Sequence, residues 1–389
     1  MKQNQGKYLV KLIRAALRGV VVSEEPEGEW ENLYSLAKWN SVEAISSFAL
    51  DEAIVPENIY KKWKNEADTT LFRQISFDAE REQILEKMAE RGLSYLPLKG
   101  ILIAGYYPQP GMRSMADNDI LYGIVEPAQD GGYRLQGDDA DESMMQAQKV
   151  MVSVMKELGY KVESLKGNHD CYMKEPCFNF EMHRELMPAE REQYNYFKDA
   201  WKRAVPDGEN SYGYKFSDED EYIFFIAHAF KHFDVSGCGI RCAVDEYVFL
   251  QKKESVMDWE YIDGELKKLG VAEFESDLKS LANNAFGSTG ELTAENEKML
   301  YFMLGSGTYG TMENHIRLSL DQIEGENKKG RYWKNRFFVS EEKCKMYYPF
   351  FYRHPGFRWL LPGYRVIRGI MIHPGKLWRE WKHVRNYKE

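Results

Sequence analysis

Residues 96–123, LPLKGILIAGYYPQPGMRSMADNDILYG, hold the side chains whose types and spacing point most directly to chemistry. Asp117-Asn118-Asp119 leads into the apolar run Ile120-Leu121-Tyr122. On an extended strand residues two apart share a side, so Asp117 and Asp119 can face one cavity. Two aligned carboxylates attract a divalent cation. Mg²⁺, or Mn²⁺ in its place, takes a few hard oxygen ligands and fills its shell with water or phosphate oxygens, which suits a nucleoside triphosphate better than an all-protein cage. A third carboxylate on a neighbouring strand would complete the set, and Glu181 is the candidate. In Phe178-Asn179-Phe180-Glu181-Met182-His183, alternation puts Phe178, Phe180 and Met182 on one face and Asn179, Glu181 and His183 on the other. His183 then reads as a ligand or base, or as a histidine hydrogen-bonded to structure. Upstream, Lys99-Gly100 sits where a strand turns into a helix, so backbone N–H groups and the ammonium can hold phosphate. Arg113, four residues before Asp117, is a second ligand for phosphate or acceptor.

Two other clusters carry less. His228 and His232, then Cys238, Cys242 and Asp245, form a zinc inventory, but their spacing matches no zinc signature and Ala229 stands where a zincin has glutamate. The better reading is a helical face on which His232, Arg241 and Asp245 contact the acceptor or fix the catalytic domain, with plain helix packing as the alternative. His169-Asp170-Cys171 invites a Cys–His nucleophile, yet GNHD is a turn composition and nothing else supports it. Phosphate-loop and dinucleotide glycine signatures and a Gly-x-Ser-x-Gly elbow are absent from the sequence.

The elements that must position these groups change texture along the chain. Residues 1–90 read as helical: Tyr8 to about Val22 and Trp30–Ala49 show helical spacing, and Asn58 to Arg91 is spaced for one or two helices between Pro56 and Gly92. Residues 91–188 alternate short strands with helices, with 124–139 expected as a loop. Residues 189–326 return to helix, near 190–204, 218–234, 239–253, 257–269, 271–285, 291–305 and 308–324. Residues 327–389 form a basic, aromatic segment broken by Pro349, Pro355, Pro362 and Pro374, expected as short docked helices. The fold class is therefore α+β, a small mixed-sheet core flanked by helical regions.

Composition bounds the function. The 389 residues, 29% charged and 43% apolar, describe a globular chain, and no window is apolar enough for a transmembrane helix. Five cysteines, Cys171, Cys177, Cys238, Cys242 and Cys344, and an N-terminus without a long apolar stretch predict a cytoplasmic protein. The net charge of −9 hides a division: residues 327–389 carry 16 Lys/Arg against 4 Asp/Glu, while the remainder holds 36 against 57. An acidic body disfavours nucleic acid as partner. The basic segment, where Arg353, Arg358, Arg365 and Arg368 alternate with aromatics, suits packing on the helical domain or contact with an anionic surface or acceptor.

Leu98-Lys99-Gly100, Arg113, Asp117/Asp119 and Glu181/His183, in this order and apolar context, resemble the nucleotidyltransferase superfamily of the polymerase-beta type, especially an uncharacterised bacterial family within it. HAFKHF, GIRCAVDEY and the 348–368 region are similar to that family's helical remainder, so the resemblance spans roughly residues 30–370. It implies a nucleotidyltransferase-like core at 91–188 and transfer of a nucleoside monophosphate from an NTP, such as ATP, to an unidentified acceptor hydroxyl or phosphate, with release of pyrophosphate. Asp117, Asp119 and Glu181 would be catalytic and metal-binding; Lys99, Gly100 and Arg113 would bind phosphate; His183, His232, Arg241 and Asp245 would meet the acceptor. One departure stands out: the superfamily's Gly-Ser turn is Lys99-Gly100 here. The missing serine leaves a catalytically inactive binding or regulatory protein as the alternative, and a toxin-like enzyme acting on tRNA ends as another.

Overall fold

The computed structural model describes residues 3–208, 210–323 and 325–387. The chain divides into two compact units, the first running to Phe230 and resuming at Ile240–Gly305, the second comprising Lys231–Gly239 and the residues from Ser306 onward.

The first unit begins with helices α1 (Gln3–Leu17), α2 (Trp30–Trp39), α3 (Glu43–Ser47) and α4 (Glu57–Glu90). Where spacing permits one or two helices between Pro56 and Gly92, a single helix of 34 residues forms. Its buried stripe, Ile59, Trp63, Ala67, Thr70, Phe77, Ile84 and Met88, recurs every three, four or seven residues and so keeps one face inward throughout. The first half docks on α2 and α3, with Trp63 Nε1 donating to the Glu43 carbonyl at 2.8 Å. The second half packs on a sheet.

That sheet is built from β1 (Ser94–Pro97), β2 (Asn118–Gly123), β5 (Lys161–Ser164), β6 (His169–Lys174) and β7 (Phe178–His183), with α5 (Gly100–Ala104) after β1, a β3–β4 hairpin (Val125–Pro127 and Tyr133–Leu135) after β2, and α6 (Ala140–Glu157) before β5. The order is β1-β2-β7-β6-β5, and only β2 and β7 run parallel. The hairpin lies in the segment expected as a loop; its strands have three residues each, too few to display a period. One sheet face is apolar. Ile120, Tyr122, Tyr172, Phe178, Phe180 and Met182 pack against Phe77, Ile84 and Met88 of α4 and Ala147, Met151, Val154 and Met155 of α6. On this side buried Asp170 accepts from Tyr122 Oη at 2.7 Å and Gln148 Nε2 at 2.8 Å, while the buried Tyr172 hydroxyl and Asn118 Nδ2 make no hydrogen bond among the described residues. The opposite face is left for polar side chains.

Beyond the sheet lie α7 (Tyr194–Phe197), strands β8 (Val205–Pro206) and β9 (Tyr214–Lys215), and helices α8 (Asp218–Ser236), α9 (Arg241–Lys253), α10 (Trp259–Lys268), α11 (Ala272–Phe286) and α12 (Ala294–Ser306). Where one helix near 190–204 is expected, α7 has four residues and is followed by a 3₁₀ turn, Ala200–Arg203. Trp201 of that turn is buried and meets Tyr214 edge-on, so tertiary docking overrides helical continuity. Helix α8 buries Tyr222 through Ala227 without interruption. Tyr222 Oη there lies 2.6 Å from Glu246 Oε1 and 2.7 Å from Glu275 Oε1.

Burial, with the nearby Glu275 charge, pushes the Glu246 carboxyl up to about 8. The folded chain thus holds a proton that the unfolded chain has released above about pH 4.3, so this group's contribution falls as pH rises from there to about 8. We expect wild-type stability in urea to drop on the order of 3 kcal/mol between about pH 5.5 and about pH 8.5, and Glu246→Gln to flatten most of that drop. Identical slopes for the two proteins would contradict the assignment.

The second unit contains α13 (Met312–Asp321), α14 (Lys328–Phe337), α15 (Glu341–Tyr347), α16 (Pro349–Arg353), a 3₁₀ turn (Pro355–Leu360), α17 (Leu361–Ile372) and α18 (Pro374–Asn386). Prolines open four of these pieces, as their fixed φ and missing N–H favour. Ile316, Leu320, Tyr332 and Val384 form a small core of the unit's own. The fold is α+β, with helical regions at both ends of a mixed five-stranded sheet.

Candidate functional site

Register decides what meets on the polar sheet face. Asp119 of β2 stands opposite Glu181 of β7, and Glu181 stands opposite Cys171 of β6. His183, two residues on, stands opposite His169. Because α4 and α6 cover the other face, all five side chains project to this side. Asn118 turns the other way and accepts from Arg81 Nη1 at 3.0 Å. Asp117, just before β2, is half-buried.

Asp119 is the centre of the polar cluster. Its Oδ1 accepts from Lys99 Nζ at 2.8 Å and lies 2.7 Å from His183 Nε2. Burial alone would raise this carboxyl, but Lys99 and His183 hold it well below the usual carboxylate range. Asp117 moves the opposite way, pushed up by burial and by the Asp119 charge. Burial pushes the His183 imidazole below its ordinary value, while the Asp119 carboxylate beside Nε2 pulls it up. The Cys171 thiol is pushed up to about 11 by burial and then by Glu181, so it is a thiol at neutral pH and no nucleophile.

Lys99 reaches the cluster from a strained backbone. Its φ of +52° and ψ of −118° lie where a residue with a Cβ pays steric strain of about 1–3 kcal/mol, and the bond to Asp119 together with a 3.1 Å contact to His228 Nε2 holds it there. Gly100 is required for a different reason. A Cβ at this position would sit 2.7 Å from Arg113 Nη1. Helix α5 has only five residues, so the turn supplies the Lys99 ammonium and little dipole.

The structure joins Arg113 and Asp245, which nothing in their spacing links. Arg113 Nε and Nη2 donate to the two Asp245 oxygens, each at 2.9 Å, and Tyr107 Oη donates to Oδ1 at 2.7 Å. All three residues are buried. The Asp245 charge holds Arg113 firmly protonated against burial. Arg241 Nη1, from the first turn of α9, donates to the Ser114 carbonyl at 3.0 Å. Together these bonds tie the segment preceding Asp117 to α9. His232 lies past Phe230, in the part of α8 that belongs to the second unit.

Two residues outside the expected set belong to this face. His228 touches Lys99, and His169 Nε2 is 3.6 Å from Glu181 Oε2. Strand alternation alone would place His169 with Cys171, but only the β6–β7 register brings it to Glu181. Among the described residues, the converging set of His, Cys and carboxylate ligand atoms is His169, Glu181 and His183, within 4.8 Å of one another.

The donor chemistry fits a divalent cation. Asp119 and Glu181 offer hard oxygens from adjacent strands with Asp117 just before β2, although the three do not converge as closely as His169, Glu181 and His183, and crowding of Asp117 by Asp119 is a repulsion that a cation relieves. The carboxylate oxygens, rather than the flanking imidazoles, are the ligands that suit Mg²⁺ or Mn²⁺.

Residues 26–152 and 145–287 each match the family described as uncharacterised nucleotidyltransferase, and together these segments span more than half of the chain. They include Lys99, Arg113, Asp117, Asp119, Glu181 and Asp245. No curated protein and no solved structure matches the chain.

Proposed function

The chain belongs to the uncharacterised nucleotidyltransferase family, and from this premise we propose that it transfers a nucleoside monophosphate from an NTP to an acceptor hydroxyl or phosphate in a Mg²⁺-dependent reaction. The observation that carries the reading is the pairing of Asp119 with Glu181 across β2 and β7, with Asp117 beside them and Lys99 on Asp119.

Asp117, Asp119 and Glu181 would hold the metal. A bound divalent cation supplies charge neutralisation for the triphosphate and a lowered pKa for a coordinated oxygen. Lys99 adds positive charge beside the phosphates. Glu181, less buried than Asp119, takes the proton of the acceptor hydroxyl as its oxygen bonds to the α-phosphorus. The bond from that phosphorus to the bridging oxygen of the β-phosphate breaks, and pyrophosphate leaves with the electron pair. His183 and the Arg113–Asp245 pair act as positioning residues, the first on Asp119 and the second on the segment before Asp117. Most of the rate then comes from placement and charge rather than from a covalent protein intermediate.

The test is incubation of the purified chain with each labelled NTP, Mg²⁺ and cell extract, reading pyrophosphate and a labelled product. Release with one or more nucleotides is the expected result. No release with any nucleotide would favour a non-catalytic binding protein. A separate check needs no acceptor: at Mg²⁺ about a hundredfold above Kd, linkage adds about 2.7 kcal/mol of stability. We expect a rise in unfolding temperature with Mg²⁺ or Mn²⁺, lost in Asp117→Asn.

A further inference from the structure

We propose that the second unit docks on the surface of an anionic phospholipid membrane, lying in the interface rather than crossing it. The first observation is the outward face of α17. Tyr364, Ile367, Ile370 and Met371 follow helical spacing and are exposed, Met371 to 79%, while Leu361 at the start of the helix is buried. Helix α18 continues this surface. Gly369 of α17 is close enough to Leu377 of α18 that an added Cβ would lie 3.1 Å from its Cδ1, and α18 presents Trp378 outward at 63% exposure. Exposed apolar side chains grouped in this way mark an interaction surface, whereas scattered ones do not.

The second observation is charge. Residues 343–387 contain ten Lys/Arg and a single acidic residue, Glu380. Glu380 is buried, accepting from Tyr332 Oη at 2.9 Å and Arg336 Nε at 2.7 Å. The segment's only carboxylate is thus withdrawn, and its exposed charge is cationic. Beside the apolar residues, Ile372, His373, Gly375, Lys376 and Arg379 line an open cavity of about 410 Å³, large enough for a phosphate headgroup. Lys382 and Arg385 lie over the Trp378 and Trp381 rings at 5.7 and 5.2 Å, pairing cation with aromatic as at a headgroup boundary.

Aliphatic Ile367, Ile370 and Met371 have no stacking partner in RNA, which favours lipid over nucleic acid. A second copy would set like charge against like charge. No described helix is long and apolar enough to cross a membrane, consistent with a surface that lies in the interface.

The experiment is sedimentation of the full chain with vesicles of phosphatidylcholine alone and of phosphatidylcholine with one-third phosphatidylglycerol. The expected result is at least about tenfold stronger binding to the anionic vesicles, weakened by salt and accompanied by a blue shift of tryptophan emission that shrinks in Trp378→Phe. Lys376→Glu/Arg379→Glu should weaken it by about a hundredfold, and Ile367→Ser/Met371→Ser should abolish the salt-resistant part. These positions are exposed, and an unchanged unfolding transition verifies each variant. Equal binding to both vesicles, binding to neither, binding to RNA alone, or a concentration-dependent dimer that hides Trp378 would overturn the proposal. The wild-type comparison decides even where a variant misfolds.

Discussion

Asp119→Asn lowers NTP-dependent pyrophosphate release by about a thousandfold or more, and it lowers stability as well. Asparagine keeps the shape of aspartate and an oxygen for the His183 N–H, but it removes the charge that pairs with Lys99 at 2.8 Å. On the proposed mechanism this charge is a metal ligand, and loss of a preorganised electrostatic contact at the reacting phosphate typically costs a factor of about 10² to 10³, more where a ligand is lost with it. The stability effect has a defined pH dependence. The Asp119 carboxyl is depressed in the fold, so its contribution is present above the unfolded aspartate value of about 3.9 and is lost as pH falls through the lower folded value. Urea unfolding should therefore show wild type losing stability below about pH 4 and Asp119→Asn losing less there. Glu181→Gln separates the two effects. Glu181 is 24% exposed on its side chain against 8% for Asp119, so its replacement should remove activity while leaving the unfolding temperature near that of wild type. Full activity in both variants would refute the proposed carboxylate set.

Arg113→Ala destabilises the protein by about 3–5 kcal/mol, the usual cost of leaving one member of a buried ion pair without its partner. Asp245 would keep Tyr107 as a donor but lose both guanidinium bonds. Asp245→Ala should be equally severe. The double variant Arg113→Met/Asp245→Leu removes both charges and fills the space with apolar atoms, so it should recover much of the loss. Its activity distinguishes strut from ligand. If Arg113 only positions the segment before Asp117, pyrophosphate release returns with stability; if its guanidinium binds phosphate directly, stability returns and activity does not. Thermal unfolding and pyrophosphate release on the four proteins of this cycle give both answers.

Gly100 shows how local and distant constraints meet. Its place after Lys99 is visible in the sequence as a strand-to-helix turn, and the turn is there. The reason for glycine is not local, since the atom excluding a Cβ is Arg113 Nη1, thirteen residues away. His169 teaches the same lesson. Its neighbours Gly167 and Asn168 mark a turn, and nothing in the one-dimensional pattern links it to Glu181 until β6 pairs with β7. His228 likewise stood in the sequence as part of a zinc inventory, while in the fold it contacts Lys99. Contacts between residues 129 positions apart leave no periodic trace, because they depend on how whole elements dock.

What the sequence determined by itself was whatever depends on neighbours a few residues away. Alternation in Phe178–His183 assigned a buried and a polar face, and the stripe from Ile59 to Met88 called for helix; both follow from fixed backbone periods. The helical flanks and the α+β class follow from the same patterns. Tertiary structure alone decided the pairing. It set Asp119 opposite Glu181, placed Lys99 on Asp119, and turned Arg113 and Asp245 from two ligand candidates into one buried pair. It also buried Glu380 and left α17 with an apolar outer face. The physical reason is common to all of these: the energy of a charge depends on its burial and on which opposite charge lies within a few ångströms, and neither is a function of sequence distance.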